Sequence, residues 1–162
     1  FSTVLGKAQH MYSSKERSTM GLLDFLKDAG EKLADAGDDV AMSKKINEKI
    51  NAHGVKVKDL QVSVKGDKVH LKGTPGSVED REKALLIAGN VKGIAKVSDD
   101  MVAKDDKGKT RYYTVVSGDT LSKISKNMYG DANKYMKIFD ANKPMLSDPD
   151  KIYPGQVLRI PE

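Results

Sequence analysis

Residues 89–94 read Gly-Asn-Val-Lys-Gly-Ile, with two glycines and no acidic side chain. They follow a helical pattern, and the last carbonyls of a helix have no partner inside it and carry the negative end of its dipole. Glycine lets consecutive carbonyls turn toward one point. Neutral oxygens grouped in this way suit a large, weakly hydrated monovalent cation, whereas clustered carboxylates favour Mg2+ or Ca2+. The same residues also read as an ordinary helix-to-strand turn, and residue types alone leave both readings open. Other reactive groups are sparse. His10, His53 and His70 lie far apart and lack metal-ligand spacing. There is no cysteine, which excludes disulfides, thiolate metal sites and a thiol nucleophile, and fits a reducing compartment. No Ser-His-Asp set, pair of catalytic carboxylates or phosphate loop is identifiable in the sequence, so a protein without enzymatic activity is expected.

The elements that hold these residues must fit into 162 residues, of which 38% are hydrophobic and 31% charged, enough for one ordinary domain or two very small ones. No apolar run has the length of a membrane span, and the start lacks the order of a secretory signal, so an intracellular protein without membrane insertion is expected. The net charge of +5 invites a nucleic-acid reading. In residues 42–104, however, lysines alternate with acids and aromatic residues are absent, which describes a solvated surface and not a phosphate-binding face.

Residues 1–19 share no periodicity with the rest and are expected to be a tag or a non-native extension, with Met20 as the natural start. Over residues 20–36, Leu22, Leu26, Ala29, Leu33 and Ala36 recur at steps of three and four, and Phe25 widens the stripe. The spacing predicts an amphipathic helix weakened at Gly30, within an N-terminal segment 20–40. A second helix is expected over 41–54. Two strands follow, with Leu60, Val62 and Val64 and then Val69 and Leu71 pointing inward, joined by a turn at Gly66 and Asp67. His70 falls on the outer face. Ser77 can cap a helix that ends near Gly89 or Asn90, and a last strand starts near Ile94. This helix-strand-strand-helix-strand order, with Val69-His70-Leu71-Lys72-Gly73 before the helix and Val91 to Val97 after it, resembles a BON domain over 41–104. The resemblance implies binding, often at membranes or to lipid. Residues 105–111 read as a linker.

Residues 112–162 place a strand before Gly118 and Asp119, a helix marked by Leu121, Ile124 and Met128 and ended by Gly130, a second helix over 132–141, and a last strand after Pro154 and Gly155. The opening Tyr113-Thr114-Val115-Val116-Ser117-Gly118-Asp119-Thr120-Leu121 and the close Ile152-Tyr153-Pro154-Gly155-Gln156 resemble a LysM domain of βααβ order. That resemblance implies a shallow groove for N-acetylglucosamine chains at Gly118, Asp119, Thr120, Leu121 and Ile152, where backbone groups bond the acetamido units and Leu121 and Ile152 cover their methyls. Gly118 and Asp119 equally serve turn and cap geometry, and Leu121 equally serves a core.

The expected fold is α+β, a BON domain followed by a small LysM domain. This pairing, behind the start Met20-Gly21-Leu22-Leu23-Asp24-Phe25-Leu26-Lys27, resembles a family of small bacterial potassium-binding proteins over residues 20–162. The resemblance implies a cytoplasmic, monomeric K+ sensor or buffer that changes shape on binding. It also implies a site of main-chain carbonyls, here those of Leu26, Ala29, Glu31, Gly89, Val91 and Ile94. A peptidoglycan-binding envelope protein, or a scaffold whose LysM groove docks a protein, remains the alternative expectation.

Overall fold

Two capped helices frame the first domain. α1 (Asp39–Ala52) starts where the Asp38 carboxylate accepts the Ala41 N–H at 2.7 Å, and α2 (Val78–Gly89) starts where the Ser77 hydroxyl accepts the Asp80 N–H at 3.1 Å. Each cap satisfies an amide that the first helical turn leaves without a partner. A computed structural model describes residues 23–33, 37–103 and 110–162. The expected extension at 1–19 and most of the linker lie outside the described residues.

Strands β2 (Val57–Lys65) and β3 (Lys68–Pro75) form the hairpin the turn signal predicts, with Lys65 opposite Lys68. β4 (Lys96–Asp99) then runs parallel to β3, a pairing that requires a crossover, and α2 supplies it. A fourth strand, β1 (Leu23–Asp24), pairs antiparallel with β4, so the sheet order is β1-β4-β3-β2. Alternation along β3 buries Val69 and Leu71 beneath the helices, with Ile46 and Ile50 of α1 and Leu85 and Leu86 of α2. Leu60 and Val62 are only partly buried against this core.

The helix expected over 20–36 is a correction. Within the described residues 23–33 the chain is an edge strand, a turn and a single bridge. Leu23 and Phe25 are buried while Asp24 and Leu26 face out, a period of two that the wider stripe of threes and fours concealed. Gly30 at φ 99° departs from helical geometry, and apart from a turn bond from Ala29 N–H to the Leu26 carbonyl the segment's backbone bonds beyond β1 run to residues 90–95.

The second domain runs β5 (Arg111–Thr114), α3 (Leu121–Tyr129), a 3-10 turn (Ala132–Lys134), α4 (Tyr135–Ala141) and β6 (Val157–Ile160). Gly130 ends α3 in the left-handed region at φ 77°. β5 and β6 form a two-stranded antiparallel sheet buried on both faces. Tyr113, Leu158 and Ile160 join Leu121, Ile124 and Ile138 in the domain's own core, while Tyr112 and Val157 belong to the core of the first domain. The period-two alternation thus assigns one face of this small sheet to each domain. No helix among the described residues is long and apolar enough to cross a membrane.

Candidate functional site

The N-terminal segment lies along the loop that leaves α2, and backbone hydrogen bonds join the two throughout. Phe25 N–H donates to the Ala95 carbonyl at 2.8 Å, Gly93 N–H to Lys27 at 2.7 Å, Glu31 N–H to Asn90 at 2.9 Å and Lys92 N–H to Glu31 at 2.9 Å. Glu31 and Val91 form a parallel bridge. Two glycines permit this approach. A Cβ on Gly30 would stand 2.7 Å from the carbonyl carbon of Asn90 and 2.9 Å from that of Val91, so only a hydrogen fits. A Cβ on Gly89 would overlap the ring of Phe25, which seats the start of the segment on the end of α2. Gly89 itself ends the helix and lies outside the left-handed region, so it contributes space; the positive φ in this loop belongs to Gly93, at 100°.

The six carbonyls singled out from sequence therefore lie on two segments that the fold brings into direct contact. Three already accept one backbone hydrogen bond: Leu26 from Ala29, Val91 from Ile94, and Glu31 from Lys92. Each carbonyl oxygen keeps a second lone pair. Those of Ala29, Gly89 and Ile94 receive none among the loop and turn hydrogen bonds of the described residues. Among the described residues no group of three or more His, Cys, Asp or Glu side chains could hold a metal ion. The contact region thus offers neutral oxygens and no carboxylate cage.

The second domain closes over this region through residues that sequence reasoning missed. Asn90, in the middle of the loop, donates from Nδ2 to the Val157 carbonyl at 2.9 Å and accepts from Val157 N–H at Oδ1 at 2.8 Å. Asn142 makes the same pair of bonds to Arg159, at 3.0 and 2.8 Å. The two amides thus complete the free edge of β6 as a neighbouring strand would. Arg159 also bonds Glu82 of α2 through Nε at 3.0 Å and Nη2 at 2.8 Å, and Glu82 is fully buried. Gly155 packs against Ala29, closing the triangle between segment, loop and second domain. The signal for these contacts was polar residues at positions the strand and helix patterns mark as inward.

The residues of the implied glycan groove have defined structural tasks. Asp119 Oδ2 accepts hydrogen bonds from the Tyr113 hydroxyl and the Val116 N–H. Burial and this carboxylate both push the Tyr113 phenol up, so it stays protonated and donates. Thr120 caps α3 through Lys123 N–H, and Lys123 Nζ donates to the Gly118 carbonyl at 3.2 Å. Leu121 is 2% exposed and sits in the core, while Ile152 is half-buried against it. His70 meets Ser98 at 2.8 Å through Nδ1 and Asp100 at 3.0 Å through Nε2, a trio that strand pairing assembles and that is invisible as a sequence motif. It lies on the outer face of the sheet, where His70 was expected.

Family comparisons agree with this architecture. Residues 38–105 match the BON domain family and residues 113–161 match the LysM domain family. The chain is 50% identical over 148 residues to the potassium binding protein Kbp of Escherichia coli, covering 88% of this chain and 99% of that protein. It is 39% identical over 114 residues to an uncharacterized protein of Deinococcus radiodurans, covering 63% of this chain and 44% of the relative. It is also 35% identical over 68 residues to the uncharacterized protein YqbP of Bacillus subtilis, covering 36% of this chain and 31% of that one. With one sheet-bearing BON domain, one LysM domain and this near full-length identity, the chain belongs to the Kbp family.

Proposed function

We propose that the protein binds K+ through main-chain carbonyls of Leu26, Ala29, Glu31, Gly89, Val91 and Ile94, and acts as a cytoplasmic K+ sensor or buffer without catalysis. The observation that carries this reading is the close backbone contact of residues 25–31 with residues 89–95, which Gly30 makes possible. It is supported by the name of the full-length relative. Neutral carbonyls replace the water of a large monovalent ion without the field strength that favours small divalent ions. An ion held by both segments binds only the docked arrangement, so it stabilises that arrangement by mass action. Because Asn90 and Gly155 tie the segment and loop to the second domain, docking and domain closure move together in this reading.

Calorimetric titration with K+, Na+ and Mg2+ tests the proposal. K+ is expected to bind tightest, and tighter binding of Mg2+ would sink it. Leu26→Ala is expected to leave K+ affinity within about twofold, because the proposed ligand is the backbone oxygen and the side chain is 48% exposed. A larger loss would mean that the side chain, and not the carbonyl, matters. Small-angle scattering and amide exchange should change on K+ addition, most strongly in residues 25–31 and 89–95; identical profiles would remove the conformational part of the proposal. Retention on peptidoglycan at high salt would favour the glycan reading of the LysM groove.

A further inference from the structure

Of the six residues whose carbonyls form the proposed cation site, Glu31 alone carries a charged side chain. Its carboxylate is paired with Lys49 Nζ. Lys49 stands on α1, a helix that supplies none of the six carbonyls. The two halves of the pair are unequally placed, the Lys49 side chain being 12% exposed and that of Glu31 62%. Both line a cavity of about 300 Å³ between the domains, beside Gly30, Asn90 and Tyr153. The Glu31 charge is felt across that space, since burial and then this carboxylate push the Tyr153 phenol up to about 12. The other charged residues of the two contacting stretches, Lys27, Asp28 and Lys92, are exposed, where water and salt screen them.

A free carboxylate on a ligand residue would work against selectivity for K+. At a given distance a unit charge attracts a divalent ion with twice the energy with which it attracts a monovalent one. One charge gained or lost near the site therefore alters Mg2+ or Ca2+ affinity by the square of the factor by which it alters K+ affinity. Paired with an ammonium, the Glu31 carboxylate adds no net charge, and the site keeps the weak field of neutral carbonyls. We infer that Lys49 is a specificity-determining residue of the cation site, which neutralises the Glu31 carboxylate and so keeps divalent ions from displacing K+. The inference rests on the cation-binding reading above and gives Lys49 no contact with the ion.

Calorimetric titration of the full chain with K+, Na+, Mg2+ and Ca2+ at one low ionic strength tests this, with the divalent ions also titrated as competitors of K+. Lys49→Met keeps an unbranched side chain and removes the charge. For a pair as hydrated as this one, the change is expected to raise K+ affinity about threefold and divalent affinity about tenfold, so the ratio of K+ to divalent affinity should fall about threefold. The ratio of K+ to Na+ should stay within about twofold, because both ions carry one charge. Lys49→Arg should keep the wild-type ratios, and Lys49→Met combined with Glu31→Gln should restore them. Ratios are the readout because any loosening of the segment when the pair is broken weakens every ion alike and cancels. A wild-type protein without preference for K+ would remove the cation reading and this inference with it. A wild-type preference that Lys49→Met leaves unchanged would overturn the role of Lys49 alone. So would an equal fall in the K+ to Na+ ratio, or a loss of selectivity that Glu31→Gln does not reverse.

Discussion

Gly30→Ala is expected to lower K+ affinity by at least tenfold while the BON and LysM domains remain folded. Gly30 has a φ of 99°, and a left-handed backbone costs an L-residue roughly 1–2 kcal/mol. The added methyl would also stand 2.7–2.9 Å from the backbone of Asn90 and Val91, atoms fixed by hydrogen bonds to Glu31. Backbone on both sides cannot yield as a flexible side chain would, so the segment must lift off the loop. About 1.4 kcal/mol of such strain already corresponds to tenfold in affinity. The helices and the β2–β3–β4 core do not depend on this contact, so far-UV circular dichroism should change little. Calorimetry that returned wild-type K+ affinity would show that the segment-loop contact does not hold the ion. Gly89→Val should act on the same contact by expelling the Phe25 ring, and it provides an independent variant.

Glu82→Ala is expected to cost about 3–5 kcal/mol of stability, read as a fall in the urea midpoint. Glu82 is fully buried and Arg159 is 6% exposed, and Arg159 bonds Glu82 through both Nε and Nη2. Removing the carboxylate leaves a guanidinium without its charge partner between the domains, and that uncompensated charge is the main cost. Replacing both partners by leucine should recover most of the loss, because two charges no longer have to be desolvated. The Asn142 bonds to the Arg159 backbone would survive that double change. A loss below about 1 kcal/mol in Glu82→Ala would mean that the domains separate readily and let Arg159 rehydrate.

Wherever a signal was local, the residues carried it. The Ser77 cap, the turn between Lys65 and Lys68, the inward Val69 and Leu71 and the Gly130 stop each depend on a few neighbouring residues, and the structure places them as their spacing predicts. The N-terminal segment failed for the same reason. Its stripe of threes and fours was a valid helical pattern, but a two-residue strand has too few positions to reveal its period. What decided its conformation was a set of hydrogen bonds to residues roughly sixty to seventy positions away.

The sequence by itself determined two domains of α+β type and the elements of each, because helix and strand periods, caps and turns are written within a few residues. It also marked both segments of the candidate cation site through their matching positions in a known family. Only the tertiary structure decided that the first segment is an edge strand locked against the loop by Gly30 and Phe25. The same holds for the seam between the domains, where Asn90 and Asn142 complete the edge of β6 and Glu82 meets Arg159 across 77 residues of chain. Asparagine, glutamate and arginine are ordinary surface residues by type. Their role here follows from burial and from which backbone edge lies opposite, and both are properties of the assembled fold.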